Sequence, residues 1–469
     1  MVSGYTDEDW MVSVDDHLIE PPRVWVDRLP AKYRDLGPRW VDDGKNEAWE
    51  FDGKRIAIGG AVTAGAFPLN ARPEPFRALK WGEIPPSCYD PKARVGSMDL
   101  DRVAAALVFP NLPGFAGNLF QRARDRTLAL HCIQAYNDWV LEEWCGPYPD
   151  RFIGLALIPM WDPLLAATEA ERAIKKGARS IAFSLAPQNL GFPGIHSHKG
   201  YWDRLFSVVN EARVPLSSHL GTEIAEEFSV LDIDKLAARL ESSGVDLGEL
   251  GSQVKQGADL ELLETVKPDL AEPVAASRPQ RLSTHPRVIA IMCQFGAQAP
   301  MLEWLFSGNF ERFPNLKVVL SENGIGWMPA ILACADWMVE MSRSRVSQPH
   351  DAENNPLFTE TARKLAASTM EARAHRDRNA RLPSEIFRDH IYGCFINDAA
   401  GVKMLDVIGV DNVMIETDFP HNATWFPHSM QKAKESLAHL PEAAWRKIVR
   451  GNAERIFRFT ARAPASIAA

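Results

Sequence analysis

Eight short apolar runs recur along the chain, and amphipathic stretches with helical spacing follow most of them. Continuous apolar runs of this kind are typical of strands that are buried on both faces of a parallel sheet. The first run opens at Ser13, and the others cover residues 104–109, 152–158, 180–184, 214–218, 316–321, 391–396 and 413–417. This alternation predicts an α/β fold of the (β/α)8 TIM-barrel type. A doubly wound sheet is disfavoured because no G-x-G-x-x-G follows an early strand.

Three stretches do not fit the minimal strand–helix repeat: residues 40–96, 222–288 and 328–388. The first is rich in Pro, Gly and Trp, and the other two contain helical patterns. Insertions after barrel strands usually shape the active site, which opens at the C-terminal ends of the strands. We therefore expect one domain over residues 1–469, with these insertions capping the mouth of the barrel.

Composition narrows the possible partners and the compartment. The 469 residues are 46% hydrophobic and 24% charged, with a net charge of -9 and no Lys/Arg-rich run, so no nucleic-acid surface is expected. No apolar run of membrane-spanning length and no signal-peptide pattern is visible, so neither a membrane span nor secretion is expected. The six cysteines are scattered without C-x-x-C spacing, which favours a reduced, cytoplasmic protein. The sequence leaves a homo-oligomer open.

Ionisable side chains cluster where the predicted strands end. Asp15 and His17 are two residues apart, so on a strand their side chains share a face, and Glu20 follows just beyond the strand end. The later candidates are His219 after the fifth strand, Glu322 after the sixth, and Asp418 with His421 after the eighth. Taken singly, each of these residues is equally typical of a structural position, such as a helix cap or a turn. Because all barrel strands end at one mouth, together they predict a metal site.

These motifs resemble those of the amidohydrolase-2 family, which comprises TIM-barrel metal enzymes and includes several decarboxylases. The resemblance rests on Asp15-x-His17, on the histidine that closes strand five, and on Asp418 in a Thr-Asp-Phe-Pro motif. It extends to residues 136–139, 149–152 and 451–453. The family often has His-x-His on strand one and a His after strand six, whereas this chain has Asp15 and Glu322. Strand four offers no lysine that could bridge two metals.

The resulting set of seven candidate ligands is rich in oxygen donors and too large for one four-coordinate ion. Mixed imidazole and carboxylate sets suit iron or manganese better than a usual zinc site. Within the superfamily, the segments 13–22 and 321–327 resemble those of the nonheme diiron monooxygenases of platensimycin and platencin biosynthesis. The resemblance therefore implies two Fe ions, with Zn or Mn as the alternative.

Under that resemblance, the protein hydroxylates a C–H bond of a lipophilic, diterpenoid-like substrate, possibly linked to coenzyme A, with O2 and an electron donor. Asp418 and Glu322 are the expected catalytic residues. The expected ligands are Asp15, His17, His219 and Asp418 for one ion, and Glu20, Glu322 and His421 for the other. Two alternatives stay open. The first is a metal-dependent decarboxylase or hydrolase acting on a small carboxylate substrate, and the second is a non-catalytic binding module, which the complete ligand set disfavours.

Overall fold

The apolar runs form a closed ring of parallel strands in the computed structural model. The structure describes residues 9–195, 200–222, 291, 294–344, 359–360 and 381–462. Its strands are β1 (Met11–His17), β2 (Arg39–Asp42), β3 (Glu47–Phe51), β4 (Lys54–Ile56), β5 (Val103–Phe109), β6 (Phe152–Ile153), β7 (Leu155–Ala156), β8 (Ser180–Ala182), β9 (Leu216–His219), β10 (Val318–Ser321), β11 (Ile391–Phe395) and β12 (Val413–Ile415). All strands except β2, β3 and β4 belong to the barrel, where they pair in parallel.

The order around the barrel follows the chain. One set of strands runs β1-β5-β6 and the other β7-β8-β9-β10-β11-β12, with β6 and β7 separated only by Gly154. Backbone hydrogen bonds close the ring between β1 and the segment after β12: Asp418 N–H donates to the Asp15 carbonyl at 2.8 Å, and His17 N–H to the Phe419 carbonyl at 2.7 Å. Every residue of β1 and β5 is buried. The predicted (β/α)8 barrel is confirmed.

Helices separate most of the barrel strands. Their bounds are Val24–Arg28, Pro91–Leu100, Asn118–Gln121, Arg126–Trp139, Pro163–Lys175, Asp203–Ala212, Gln298–Phe306, Asn309–Arg312, Met328–Ser344, Pro383–His390, Leu405–Ile408, Ser429–Leu437, Glu442–Arg446 and Asn452–Ile456. Three of them begin after an Asp whose carboxylate accepts backbone N–H groups of the first turn: Asp90, Asp125 and Asp162. These caps satisfy N–H groups that have no partner within the helix. Among the described residues, no helix is both long and apolar enough to cross a bilayer.

The insertion at 40–96 contacts the segment that follows β12. It contains the antiparallel sheet β2-β3-β4 and several short 3₁₀ turns. Gly65 N–H donates to the Pro420 carbonyl at 2.8 Å, and Asn422 N–H donates to the Ala61 carbonyl at 3.0 Å. The insertion at 222–288 lies, after its first residue, outside the described residues. The single-domain division with three insertions stays a prediction.

The close approach at Gly65 predicts a substitution effect. A Cβ at this position would lie 2.3 Å from Cγ2 of Thr424 and 2.6 Å from the carbonyl oxygen of His421. Gly65→Ala should therefore lower the unfolding free energy by about 1–3 kcal/mol, as overpacking does. Gly82→Ala, in the same insertion, is the matched control because a Cβ there meets nothing within 4 Å. Thermal melting followed by circular dichroism measures both, and equal melting temperatures would contradict the close packing.

Candidate metal centre

The C-terminal end of β1 carries the first two donors of a compact, buried cluster. Asp15 and His17 extend from the same face of β1, and His219 is the last residue of β9. The Nε2 atoms of His17 and His219 lie 3.2 Å apart. The Asp15 carboxylate lies 3.4 Å from each of these nitrogens. Two strands on different sides of the barrel thus bring three potential ligand atoms to one point.

The segment after β12 adds Asp418 and His421. Asp418 Oδ1 lies 3.1 Å from Nε2 of His17 and 2.8 Å from Nδ1 of His421. The His421 ring stacks on that of His17, with 3.6 Å between the ring centres. Burial by itself raises the pKa of Asp418, but the imidazoles of His421 and His17 outweigh it and bring that pKa below its usual range. Two ligand groups therefore overlap and share His17.

The chemistry of these donors fits a divalent cation. Both carboxylate oxygens of Asp15 are buried and accept no hydrogen bond from the residues that the structure describes. Burial lowers the pKa of His219 to about 4 and that of His17 well below its usual range, so both imidazoles are neutral near pH 7. A neutral imidazole nitrogen and an ionised carboxylate are the protonation states that bind metals.

The negative charges of the buried carboxylates also favour a bound cation. Burial raises the pKa of the Asp15 carboxyl well above its usual range, and four nearby carboxylates add to that rise: those of Glu416, Glu322, Asp418 and Asp16. Buried like charges must either take up protons or be compensated by a cation. A bound cation lowers the pKa of nearby acids and reverses this rise.

Glu322 lies beside the cluster, at its more open side. Its side chain is 20% exposed, and its Oε2 lies 3.6 Å from Nε2 of His219. The backbone of Glu322 is left-handed, with φ of 59°. Both carboxylate oxygens of buried Glu416 accept its N–H, at 3.1 and 3.0 Å. Asp398 accepts two further N–H groups of the same turn, at 2.8 and 2.7 Å. These contacts hold a backbone conformation that non-glycine residues seldom adopt.

The structure does not bring Glu20 to the cluster. Its two carboxylate oxygens accept the backbone N–H groups of Asn111 and Leu112, each at 2.9 Å. Burial raises the pKa of Glu20 to about 7, although these hydrogen bonds oppose the rise. Glu20 instead anchors the loop after β5, whose Phe115 stacks on the His219 ring with 3.7 Å between ring centres. Five of the seven predicted ligands fall in the two overlapping groups: Asp15, His17 and His219 in one, and His17, Asp418 and His421 in the other.

Sequence reasoning missed Glu416 and Phe115. Glu416 lies within the last apolar run, and a carboxylate in a run predicted to be buried was a signal that could have identified it. Phe115 had no comparable signal, because an aromatic residue in a loop is common in any fold. Its place against His219 depends on contacts between distant segments of the chain.

Comparison with known proteins identifies the superfamily. A model of the amidohydrolase family matches residues 81–459. A γ-resorcylate decarboxylase from Polaromonas sp. (strain JS666 / ATCC BAA-500) is 21% identical over 379 residues, which cover 78% of this chain and 86% of that protein. The predicted resemblance to the amidohydrolase-2 family is confirmed.

Solved structures support the fold. A crystal structure of an amidohydrolase from Mycobacterium avium subsp. paratuberculosis K-10 has a TM-score of 0.61 at 20% identity and covers 96% of this chain and 98% of its own. A dihydroxybenzoic acid decarboxylase from Polaromonas sp. JS666, with bound manganese and the inhibitor 2-nitroresorcinol, has a TM-score of 0.51 at 17% identity and covers 96% and 97%. IDCase from Metarhizium anisopliae has a TM-score of 0.52 at 15% identity, and the match covers 95% of this chain and 97% of that one.

The predicted diiron monooxygenase is wrong, and so are the oxidoreductase and antibiotic-biosynthesis assignments that went with it. The similar proteins include a γ-resorcylate decarboxylase, a dihydroxybenzoic acid decarboxylase that holds manganese, and an amidohydrolase. The resemblance to the monooxygenases of platensimycin and platencin biosynthesis finds no support among them, nor do O2, an electron donor or coenzyme A. The error came from counting oxygen donors, which ignores how many already accept hydrogen bonds. The family model covers most of the chain, and the protein is thus an enzyme of the amidohydrolase family.

Proposed function

We propose that the protein is a metal-dependent decarboxylase that acts on a small carboxylate substrate. The observation that carries the proposal is the pair of overlapping ligand groups that share His17: Asp15, His17 and His219, and His17, Asp418 and His421. The similarity to a γ-resorcylate decarboxylase and to a manganese-containing dihydroxybenzoic acid decarboxylase supports this reaction over hydrolysis.

Asp15, His17, His219 and Asp418 would hold one divalent ion, Mn²⁺ or Zn²⁺. Mixed imidazole and carboxylate donors bind both ions. Octahedral Mn²⁺ with four protein ligands keeps positions for the substrate, whereas catalytic Zn²⁺ keeps one open position with three protein ligands. When bound, the ion supplies Lewis-acid stabilisation of negative charge on substrate oxygens. Two irons would need a second set of donors. Glu20 does not supply one, because its carboxylate oxygens accept backbone N–H groups.

Side chains of the protein supply the proton that replaces the departing CO2. Loss of CO2 from a carboxylate leaves an electron pair on carbon, and one proton must replace the departing group. Glu322 is the most exposed carboxyl group beside the cluster, and we assign it the delivery of that proton. The contact of Asp418 with Nδ1 of His421 orients this ring. Nε2 of His421 is buried and has no hydrogen-bond partner within the described part of the chain. Nε2 of His421 is the second position where a proton can be held.

Aromatic side chains limit the access of water to the donors. Phe115 stacks on His219, and Phe109 packs edge-on against the same ring with 4.9 Å between ring centres. Asp15, His17 and His219 are at most 1% exposed. Excluding water strengthens electrostatic interactions within the site and prevents competing proton transfers.

The metal content of two variants tests the ligand assignment. Asp15→Asn should lose most of its bound metal, because the amide replaces the negative charge that two neutral imidazoles require. Glu20→Gln should keep its metal, because Glu20 bonds only to backbone N–H groups. Elemental analysis of the gel-filtered proteins measures both. The wild type should carry about one Mn or Zn per chain.

Equal metal loss in the two variants would contradict the assignment. Two irons per chain in the wild-type protein would contradict the single-ion proposal.

The reaction is tested with the wild-type enzyme and a Glu322→Gln variant on a panel of hydroxybenzoates and related small carboxylates. We expect the wild type to release CO2 equally well with and without O2. Glu322→Gln should lower kcat by about 10²–10⁴-fold, the usual contribution of a general acid, while keeping its metal. Release of CO2 is measured by coupled assay. Oxygen consumption with substrate, or full activity of Glu322→Gln, would overturn the proposal.

A further inference from the structure

We propose that Arg94 is a positioning residue that fixes the metal ligands His17 and Asp418 relative to each other. The inference rests on the proposed metal centre and extends it to a side chain that contacts neither metal nor substrate. The Arg94 guanidinium lies beneath the cluster, where β1 and the segment after β12 close the barrel. Such outer residues commonly control metal affinity, because they orient the ligands.

The first observation is how the guanidinium is held. The Arg94 side chain is completely buried on the helix Pro91–Leu100. One of its terminal nitrogens donates to the carbonyl oxygen of His17, and its Nε donates to the Ser87 carbonyl at 2.7 Å. Arg94 therefore connects its helix directly to the backbone of a metal ligand.

The second observation concerns the other ligand-bearing segment. The guanidinium carbon lies 4.7 Å from the ring centre of Phe419, the residue that follows Asp418. The Phe419 carbonyl accepts the N–H of His17, and Asp418 N–H donates to the Asp15 carbonyl. A single planar cation thus contacts both strands at the point where they join. Lysine does not reproduce this planar, multidentate geometry.

The third observation is the charge that Arg94 compensates. Asp16 faces away from the metal cluster, and its Oδ2 lies 3.7 Å from Nη1 of Arg94. Its Oδ1 accepts the hydroxyl groups of Ser13 and Thr417, which again links β1 to the segment after β12. In the part of the chain that the structure describes, Arg94 is the cation that forms an ion pair with Asp16. Losing one partner of a buried pair leaves the other charge uncompensated.

Arg151 provides a matched control at the opposite end of the barrel. It is also buried, at 6% exposure, and its guanidinium also donates to strand carbonyls: Nε to Ala104 at 2.6 Å and a terminal nitrogen to Val103 at 3.0 Å. It pairs with Asp99 at 2.7 Å. These carbonyls belong to the start of β5, whereas Arg94 bonds to the last residue of β1. Both arginines stabilise the barrel, but only Arg94 adjoins the ligands.

The experiment compares Mn²⁺ binding to chelator-stripped wild type, Arg94→Lys and Arg151→Lys, with free Mn²⁺ measured by electron paramagnetic resonance. Arg94→Lys should raise the Kd for Mn²⁺ by about 10–100-fold. Arg151→Lys should leave that Kd within about twofold of the wild type, even where its melting temperature falls equally. Asp16→Asn is the second variant, because it keeps Oδ1 and removes the charge that faces Arg94. It should also weaken Mn²⁺ binding, and it decides the question if Arg94→Lys does not fold.

Unchanged Mn²⁺ affinity in a folded Arg94→Lys protein would overturn the inference, as would equal losses in the Arg94 and Arg151 variants. If Arg94→Lys does not fold, an unchanged Mn²⁺ affinity of Asp16→Asn would overturn the inference instead. These results leave the proposed decarboxylase standing. A wild-type protein that binds no Mn²⁺ would instead overturn both proposals. Binding of Mn²⁺ without CO2 release would overturn the proposed reaction alone.

Discussion

The burial of several ionisable side chains around one point at the barrel mouth is the constraint on which the account depends. Asp15, His17, His219 and Asp418 are almost completely inaccessible, and their polar atoms lie within 3.1–3.4 Å of one another in neighbouring pairs. Carboxylates do not stay buried together unless protons or a cation compensate them. The barrel brings these residues together from both ends of the chain. A divalent cation at this point would compensate their buried negative charge.

Around this cluster, other charged residues act on the backbone rather than on a ligand. Glu416 accepts the N–H of Glu322, Glu20 accepts two N–H groups of the loop after β5, and Arg94 donates to the carbonyl of His17. Each one fixes a segment that delivers a side chain to the mouth. Groups bound in this way have little remaining capacity to bind a metal. The site therefore consists of a small inner set of donors and a larger surrounding set of charged anchors.

Sequence patterns predicted the barrel because strands that are buried on both faces must be apolar almost throughout, as β5 is. They predicted Asp15 and His17 because two-residue spacing on a strand places side chains on one face. They did not separate Glu20 from Asp15 and His17, since the partners of Glu20, Asn111 and Leu112, lie 91 and 92 residues away in sequence. A carboxylate that accepts two backbone N–H groups looks the same in sequence as one that is free to bind a metal.

The most direct test of the central claim is an anomalous difference map at the manganese absorption edge, recorded from crystals of the protein grown with Mn²⁺. A single bound ion should give one strong peak per chain, coordinated by Asp15, His17, His219 and Asp418 at about 2.0–2.3 Å. The absence of a peak at the barrel mouth, or a peak coordinated by Glu20, would contradict this claim.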